Sequence, residues 1–386
     1  MTGSSVAEPA PVSNDLRALA AARAAVLGLP SSKLEDWRYV RCDTLAQAAY
    51  ASQRAATAAE LRSWVDHTQR ALVLVDGRFH SLGHGNWPAA WQPTLPAAAD
   101  DAAVAESLRT EHDVAACWAV ADGTCRQVLR VVATHSEPLH VVNLCTGGTS
   151  GFSIGIEVAP GAGLDLVVRH IQLAPARSCP AISIRAGRGG RVQVSEIQAT
   201  AWEHLLGTTT LEAAADAHIA WTSIARGGAC VRLHMRMSIT GRGGHLAYAA
   251  LGEARGSDQI HHVTRLTHAV GDSTSEQLVK AVLHDRANAS FDGLVRILAG
   301  CDGANAEQQN RNLLLSDLAR ADTRPQLDIK ADDVKAAHGA TVGQLDADEL
   351  LYLRMRGIPA AEARNLLTAG FTGEVLTRLA HPEFLT

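Results

Sequence analysis

His338 stands in the run Pro325-Gln-Leu-Asp-Ile-Lys-Ala-Asp-Asp-Val-Lys-Ala-Ala-His338-Gly-Ala-Thr-Val-Gly-Gln-Leu345, which has Gly339 and Gly343 beside the histidine and no thiol anywhere in it. An imidazole titrates near neutral pH and ligates a metal through either ring nitrogen, and the two glycines allow the backbone to fold tightly around it. The same residue types suit a junction between two structural units, at which His338 caps or fills and binds nothing. A second set, His261, His262 and His268 flanked by Asp258 and His284, has the residue types of a transition-metal site. On a strand, His262, Thr264 and His268 share one face and His261 takes the other, so the set serves equally as a surface ladder. Asp165 and Glu196 are the carboxylates that a carbohydrate-cleaving groove would have to pair, and nothing around them singles them out. The segments Gly187-Arg-Gly-Gly-Arg191 and Gly241-Arg-Gly-Gly244 have the composition of anion-binding nests, or of corners in a repeat.

Other chemistries lack their motifs. There is no Gly-x-x-x-x-Gly-Lys-Ser/Thr loop, His-Glu-x-x-His, Gly-x-Ser-x-Gly or Gly-x-Gly-x-x-Gly after a strand, which argues against ATP hydrolysis and zinc proteolysis by this chain. Seven cysteines are scattered singly with no Cys-x-x-Cys pair, so neither a zinc knuckle nor a disulfide framework is expected. The formal net charge of -5 and 19% charged residues create no field that would gather nucleic acid or a membrane surface. No run reaches the roughly eighteen apolar residues needed to span a bilayer. The first thirty residues, with Glu8 and Asp15, do not read as a secretory signal. A reducing cytoplasm is the expected location.

At 386 residues with 47% apolar content, the chain can bury a large core, and its texture changes twice. After an Ala/Pro-rich tail, Asn14 is placed to cap a helix carrying Leu16, Leu19, Ala20, Arg23 and Leu27 and ended by Gly28 and Pro30. The aromatic pair Trp37 and Tyr39 reads as packing or docking, a second helical stretch covers about 44 to 63, and 71 to 79 reads as a strand with a turn. From about 126 to 300 short β-type runs take over. Gly163, Gly190, Ala217, Gly244 and Gly271 recur every 27 residues and mostly open those runs. A period of this length marks stacked repeats, too short for a propeller blade, and so predicts a β-solenoid whose rungs bury their apolar faces on one another. Helices return at the end: Asp346 and Glu349 form a start box, Leu350, Leu351 and Leu353 an apolar face, Gly357 a stop, and Ala363, Leu366, Leu367 and Phe371 a second face after Pro359. The expected organisation is mainly β with helical ends: a helical part at 1–100, a right-handed β-helix core at 101–330 and a helical part at 331–386.

Several ordered segments resemble the SufB/SufD family of iron–sulfur cluster assembly proteins. They are Ser273-Thr-Ser-Glu-Gln-Leu-Val-Lys280, Asp285-Arg-Ala-Asn-Ala-Ser-Phe-Asp-Gly293, Gln308-Gln-Asn-Arg-Asn-Leu-Leu-Leu-Ser316, the run from Pro325 to Gly343, and Leu351-Tyr-Leu-Arg-Met-Arg-Gly-Ile358. Glu35-Asp-Trp-Arg-Tyr39 is similar to an acidic-Trp-basic-aromatic signature near the family's N-terminus. Length and the His-Gly-Ala-Thr-Val-Gly form resemble the SufD branch. The resemblance implies a non-enzymatic scaffold subunit that pairs with a SufB-like subunit, docks a SufC-like ATPase, and is able to form a homodimer when isolated. It also implies His338 as an iron or cluster ligand at the shared interface, with iron or a transient cluster as cargo and no intrinsic cofactor. ATPase docking carries over to about 346–380, hence to Leu350, Leu351, Leu353, Leu366, Leu367 and Phe371. Where many relatives read Lys-Cys-x-His, this chain has Lys335-Ala336-Ala337-His338, so any thiolate beside the imidazole must come from the partner. A free-standing β-solenoid polysaccharide lyase or hydrolase and a purely structural subunit are the alternatives.

Overall fold

The computed structural model of the chain describes residues 12–65, 70–80, 91–94 and 98–385. The Ala/Pro-rich tail with Glu8 lies outside the described residues. The architecture is mostly β, a solenoid of about 8 turns with helices at both ends. From Gly123–Val131 onward, consecutive strands go to opposite sheets, so each strand hydrogen-bonds in parallel to the strand one full turn away. His218–Ala225, for instance, lies between Arg191–Gln198 and His245–Ala254, while Trp202–Ala213 lies beside Gly228–Ile239 in the facing sheet. Antiparallel pairing among the described residues is confined to the N-terminal end, in Ala71–Val75 with Arg78–His80 and Trp91–Thr94 with Gly123–Val131.

The strands form because every second residue is apolar and has another apolar residue above and below it in register. Phe152, Ile154, Ile156 and Val158 alternate with half-exposed residues along one strand, and Val194, Trp221 and Tyr248 stack across three rungs. All of these are at most 3% exposed. At roughly 25 cal/mol per Å² of apolar surface removed from water, such columns dominate the stability of the fold.

The 27-residue period holds for only part of the solenoid. Arg191 stacks on His218 and His218 on His245, each 27 residues on, but Gly163 stacks on Arg191 and His245 on Thr274, steps of 28 and 29. Corner loops absorb the extra residues while the strands keep register. Gly189 and Gly243 stand at positive φ in two corners. Their neighbours Gly190 and Gly244 donate N–H bonds back to Gly187 and Gly241, so the two glycine-arginine segments are corners with satisfied backbones rather than open nests.

Two helical expectations shift. The first helix, Asn14–Leu27, is capped by Ser13, whose hydroxyl accepts from the Leu16 N–H, and Asn14 is its first residue. The stretch predicted as one helix over 44–63 contains two, Asp43–Gln47 and Ala58–Val65. Between them the backbone bonds to the solenoid: the Ala51 N–H donates to Pro175 O, Gly148 N–H to Ala51 O, and Arg54 N–H to the Thr146 hydroxyl. Helices at Ala98–Thr110 and Val114–Ala121 complete the N-terminal part. No described helix is long and apolar enough to cross a membrane.

Candidate functional site

The solenoid ends openly. Lys335–Gly343 is the last strand of one sheet and Arg320–Ile329 the last of the other. Not one residue of either is buried, whereas the rung before holds Ala306, Gln308 and Asn310 at 2% exposure or less. Ile329 and Val342 are 41% and 44% exposed. A terminal rung without a cap presents unpaired backbone donors and acceptors along its edge, and repeat folds ordinarily cover such an end.

His338 lies in the middle of this edge strand. Its position in register continues the column Trp221, Tyr248, Gln277, Gln308, whose members are all buried; His338 is the first to meet solvent. It makes no hydrogen bond or ion pair with the described residues. The expected tight fold around it is absent: Lys335–Gly343 is regular strand, and neither Gly339 nor Gly343 has positive φ. Parallel pairing with Asn305–Leu314 holds the segment extended, so what the glycines leave beside the imidazole is open space, with nothing within 4 Å of where a Cβ would stand. Ala336 falls two residues earlier, on the same face as His338, and puts a methyl where a thiol would have a neighbouring imidazole.

The other cysteines do not replace it. Six of the seven are buried. Burial pushes the Cys117, Cys125, Cys145, Cys179 and Cys230 thiols up to about 12 and Cys42 up to about 11. Since a thiol must lose its proton to ligate a metal, the raised values make these six poorer ligands than an ordinary cysteine.

The histidine-rich strand Gln259–His268 binds its own neighbours instead. His261 contacts Ser290 at 2.7 Å, His262 contacts the Tyr248 hydroxyl at 3.0 Å, and His268 contacts Ser273 and Ser275 at 2.8 Å each. Burial lowers His261 to about 3 and His262 and His268 to about 4. Among the described residues, no three His, Cys, Asp or Glu side chains gather as a metal-binding group. Glu196 is buried inside the solenoid, bonded to His170 at 3.2 Å and Trp221 at 3.0 Å. Asp165 lines an outer groove in which it is the one carboxylate, so the two acids do not form a cleaving pair.

The C-terminal helices Ala347–Met355 and Ala360–Leu376 divide their apolar residues. Asp346 caps the first, accepting from Asp348 N–H at 2.8 Å and Glu349 N–H at 3.0 Å, and Gly357 closes it at φ +85°. Val375 and Leu379 are buried against Ile224, Leu251 and Leu278 of the solenoid. Phe371 joins that contact: the Lys280 ammonium lies 4.5 Å from its ring and donates to its carbonyl at 2.8 Å. Leu350, Leu353 and Leu367 are half-buried, whereas Leu351 and Leu366 are exposed beside Tyr352 and Met355.

Sequence reasoning passed over the contacts that seat the N-terminal part. Arg232, fully buried, donates to Asp113 at 2.8 Å and stacks its guanidinium 4.2 Å from the Trp37 ring; His234 also contacts Asp113, at 2.7 Å. Burial alone would raise the Asp113 carboxyl, but Arg232 and His234 outweigh it and hold it far below the usual carboxylate range. Glu111 pairs with Arg236, Asp36 with Arg265, and Glu35 with Arg324. Asp113 before the apolar run Val114–Ala121 is a helix-start signal; its arginine, more than a hundred residues away, has no such local mark.

Comparison with known proteins accords with this architecture. Residues 147–371 match the SufBD core domain of the SUF system for FeS cluster assembly. The chain is 26% identical over 365 residues to the iron–sulfur cluster assembly protein SufD of Escherichia coli K12, covering 91% of this chain and 86% of that protein. It is 43% identical over 134 residues to a SufBD family protein of Synechocystis, covering 35% and 29%, and 41% identical over 125 residues to SufD of Bacillus subtilis, covering 32% and 29%. With the family domain spanning more than half of its length, the chain belongs to the SufBD family, as an iron–sulfur cluster assembly protein of the SufD type.

Proposed function

We propose that this chain is a non-catalytic subunit of a cytoplasmic SufBCD-type scaffold and that it pairs with a SufB-like subunit through the open end of its solenoid. His338 offers its imidazole there to iron or a nascent cluster, which is cargo of the complex. The observation that carries the reading is the exposed, unpartnered His338 in the middle of an uncapped edge strand. Imidazole suits iron, and Ala336 together with the burial of six of the seven cysteines leaves the sulfur ligands to the partner. When the chain is isolated, a second copy covers the same edge. The exposed side of the C-terminal helices, around Leu351 and Leu366, docks a SufC-like ATPase, while Phe371 anchors those helices to the solenoid.

Replacing His338 with Ala and reconstituting the three-component complex tests the ligand role. The expected result is normal assembly with cluster yield reduced at least ~10-fold. An intact complex that builds clusters normally would sink the ligand assignment, and failure to assemble would favour a purely structural role for this histidine. The polysaccharide-enzyme reading loses its footing because Glu196 and Asp165 lie in different places, one inside the solenoid and one on its outer surface.

A further inference from the structure

A cleft of about 750 Å³ opens where the segment after the first helix crosses the solenoid, beside the start of the terminal strand Arg320–Ile329. Four arginines line it, Arg38, Arg41, Arg286 and Arg320, and only two acids, Asp43 and Asp322. Two of the arginines are occupied: Arg41 donates to the Ser257 carbonyl, and Arg320 forks onto Asp322 at 2.8 and 2.9 Å. Arg38 and Arg286 are exposed, and their guanidinium groups make no hydrogen bond or ion pair with the described residues. Their freedom stands out against their neighbours. In the segment Glu35 to Tyr39, Glu35 and Asp36 pair with arginines of the solenoid and Trp37 is buried on Arg232. The Tyr39 carbonyl accepts from Asn288, which also lines the cleft. Of these five, Arg38 is exposed and its side chain bonds to no described residue. The same lining includes two exposed apolar side chains, Leu29 and Leu318, at 59% and 63% exposure.

Two exposed arginines on one cleft offer planar forks suited to phosphate oxygens. Exposed leucines on the same cleft favour a ligand that also carries an apolar, flat body. The volume falls within the range of small-molecule sites and far exceeds what an inorganic ion would fill. We infer that this cleft binds an organic phosphate of the nucleotide class, with the phosphate between Arg38 and Arg286 and the base against Leu29 and Leu318. The inference is independent of the reading of His338.

The test is calorimetric titration of the full chain at low salt with AMP, adenosine and inorganic phosphate as probes. AMP is expected to bind with a sub-millimolar Kd, and adenosine and inorganic phosphate at least ~10-fold more weakly. The double variant Arg38→Ala, Arg286→Ala is expected to weaken AMP binding at least ~10-fold with an unchanged thermal midpoint, since neither side chain makes a contact that folding needs. Arg38→Lys is expected to recover part of the affinity, because it restores charge without the fork. The inference is overturned if AMP does not bind, if the double variant binds it as well as the parent, or if inorganic phosphate binds as tightly as AMP.

Discussion

Two residues show how differently a charged or titratable side chain is used in this molecule. His338 is exposed and bonded to no described residue, so His338→Ala should leave stability within about 0.5 kcal/mol of the parent, measured by guanidinium unfolding. A larger loss would mean that the imidazole supports the fold. Asp113 is the opposite case: it is 2% exposed and bonded to a fully buried arginine. Asp113→Asn leaves Arg232 buried without its counter-charge and should cost about 3 kcal/mol. The isosteric change keeps an acceptor for the Ala115 N–H, so the loss reports on the charge and not on the helix cap. An unchanged unfolding midpoint would show that the pair contributes little. The folded-state pKa of Asp113 is depressed, so its contribution is complete above the unfolded value of about 3.9 and is lost as pH falls below that.

At the scale of the element, the two terminal helices and the last strands matter most because both leave apolar surface uncovered. Met355 is 78% exposed and Leu351 53%, on a helix with no buried residue. The following helix is fastened to the solenoid through Val375, Phe371 and the Lys280–Glu374 pair. Replacing Leu351 and Met355 together by Glu should therefore leave the fold intact while weakening capture of a SufC-like ATPase at least ~10-fold. Circular dichroism and a pull-down with the purified ATPase read the two effects separately, and retained capture would move the docking surface elsewhere. The edge strand Lys335–Gly343 is an element of the same kind. Its residues are strand-like because Asn305–Leu314 pairs with them, yet its second edge has no partner among the described residues.

At the scale of the whole molecule, burial keeps histidines neutral, inside the solenoid at His262 and His268 and beneath the segments packed on its outer faces at His140 and His204. Burial lowers His140 and His261 to about 3 and His204, His262 and His268 to about 4. Their unfolded values are near 6.5, so below that pH the unfolded chain binds protons that the folded chain refuses, and stability falls. Each such histidine contributes a slope of up to about 1.4 kcal/mol per pH unit between 6.5 and its folded value. The guanidinium midpoint should accordingly be clearly lower at pH 5 than at pH 7, and His262→Gln should flatten the dependence. Equal midpoints at the two pH values would show that these rings protonate within the folded state. The solenoid itself was legible in sequence because alternation and a near-regular repeat are local properties: Leu164–Ile171 and Val192–Ile197 were readable as strands from their own residues, as were the caps at Asp346 and Gly357. The variation in rung length from 26 to 32 residues was not, since corner loops accommodate insertions without disturbing the pattern inside the strands. The conformation of 335–343 also escaped local reading: two glycines suggested a turn, and pairing with a strand thirty residues earlier made it extended. By itself the sequence determined the repeat-built core, the helical ends and the lack of a thiol next to His338. Only the tertiary structure decided that His338 meets solvent at an open rung, that Phe371 packs inward while Leu351 does not, and that Asp113 meets Arg232. Exposure and long-range ion pairing depend on what stacks against a residue from a distant part of the chain, and neighbours along the sequence do not specify that.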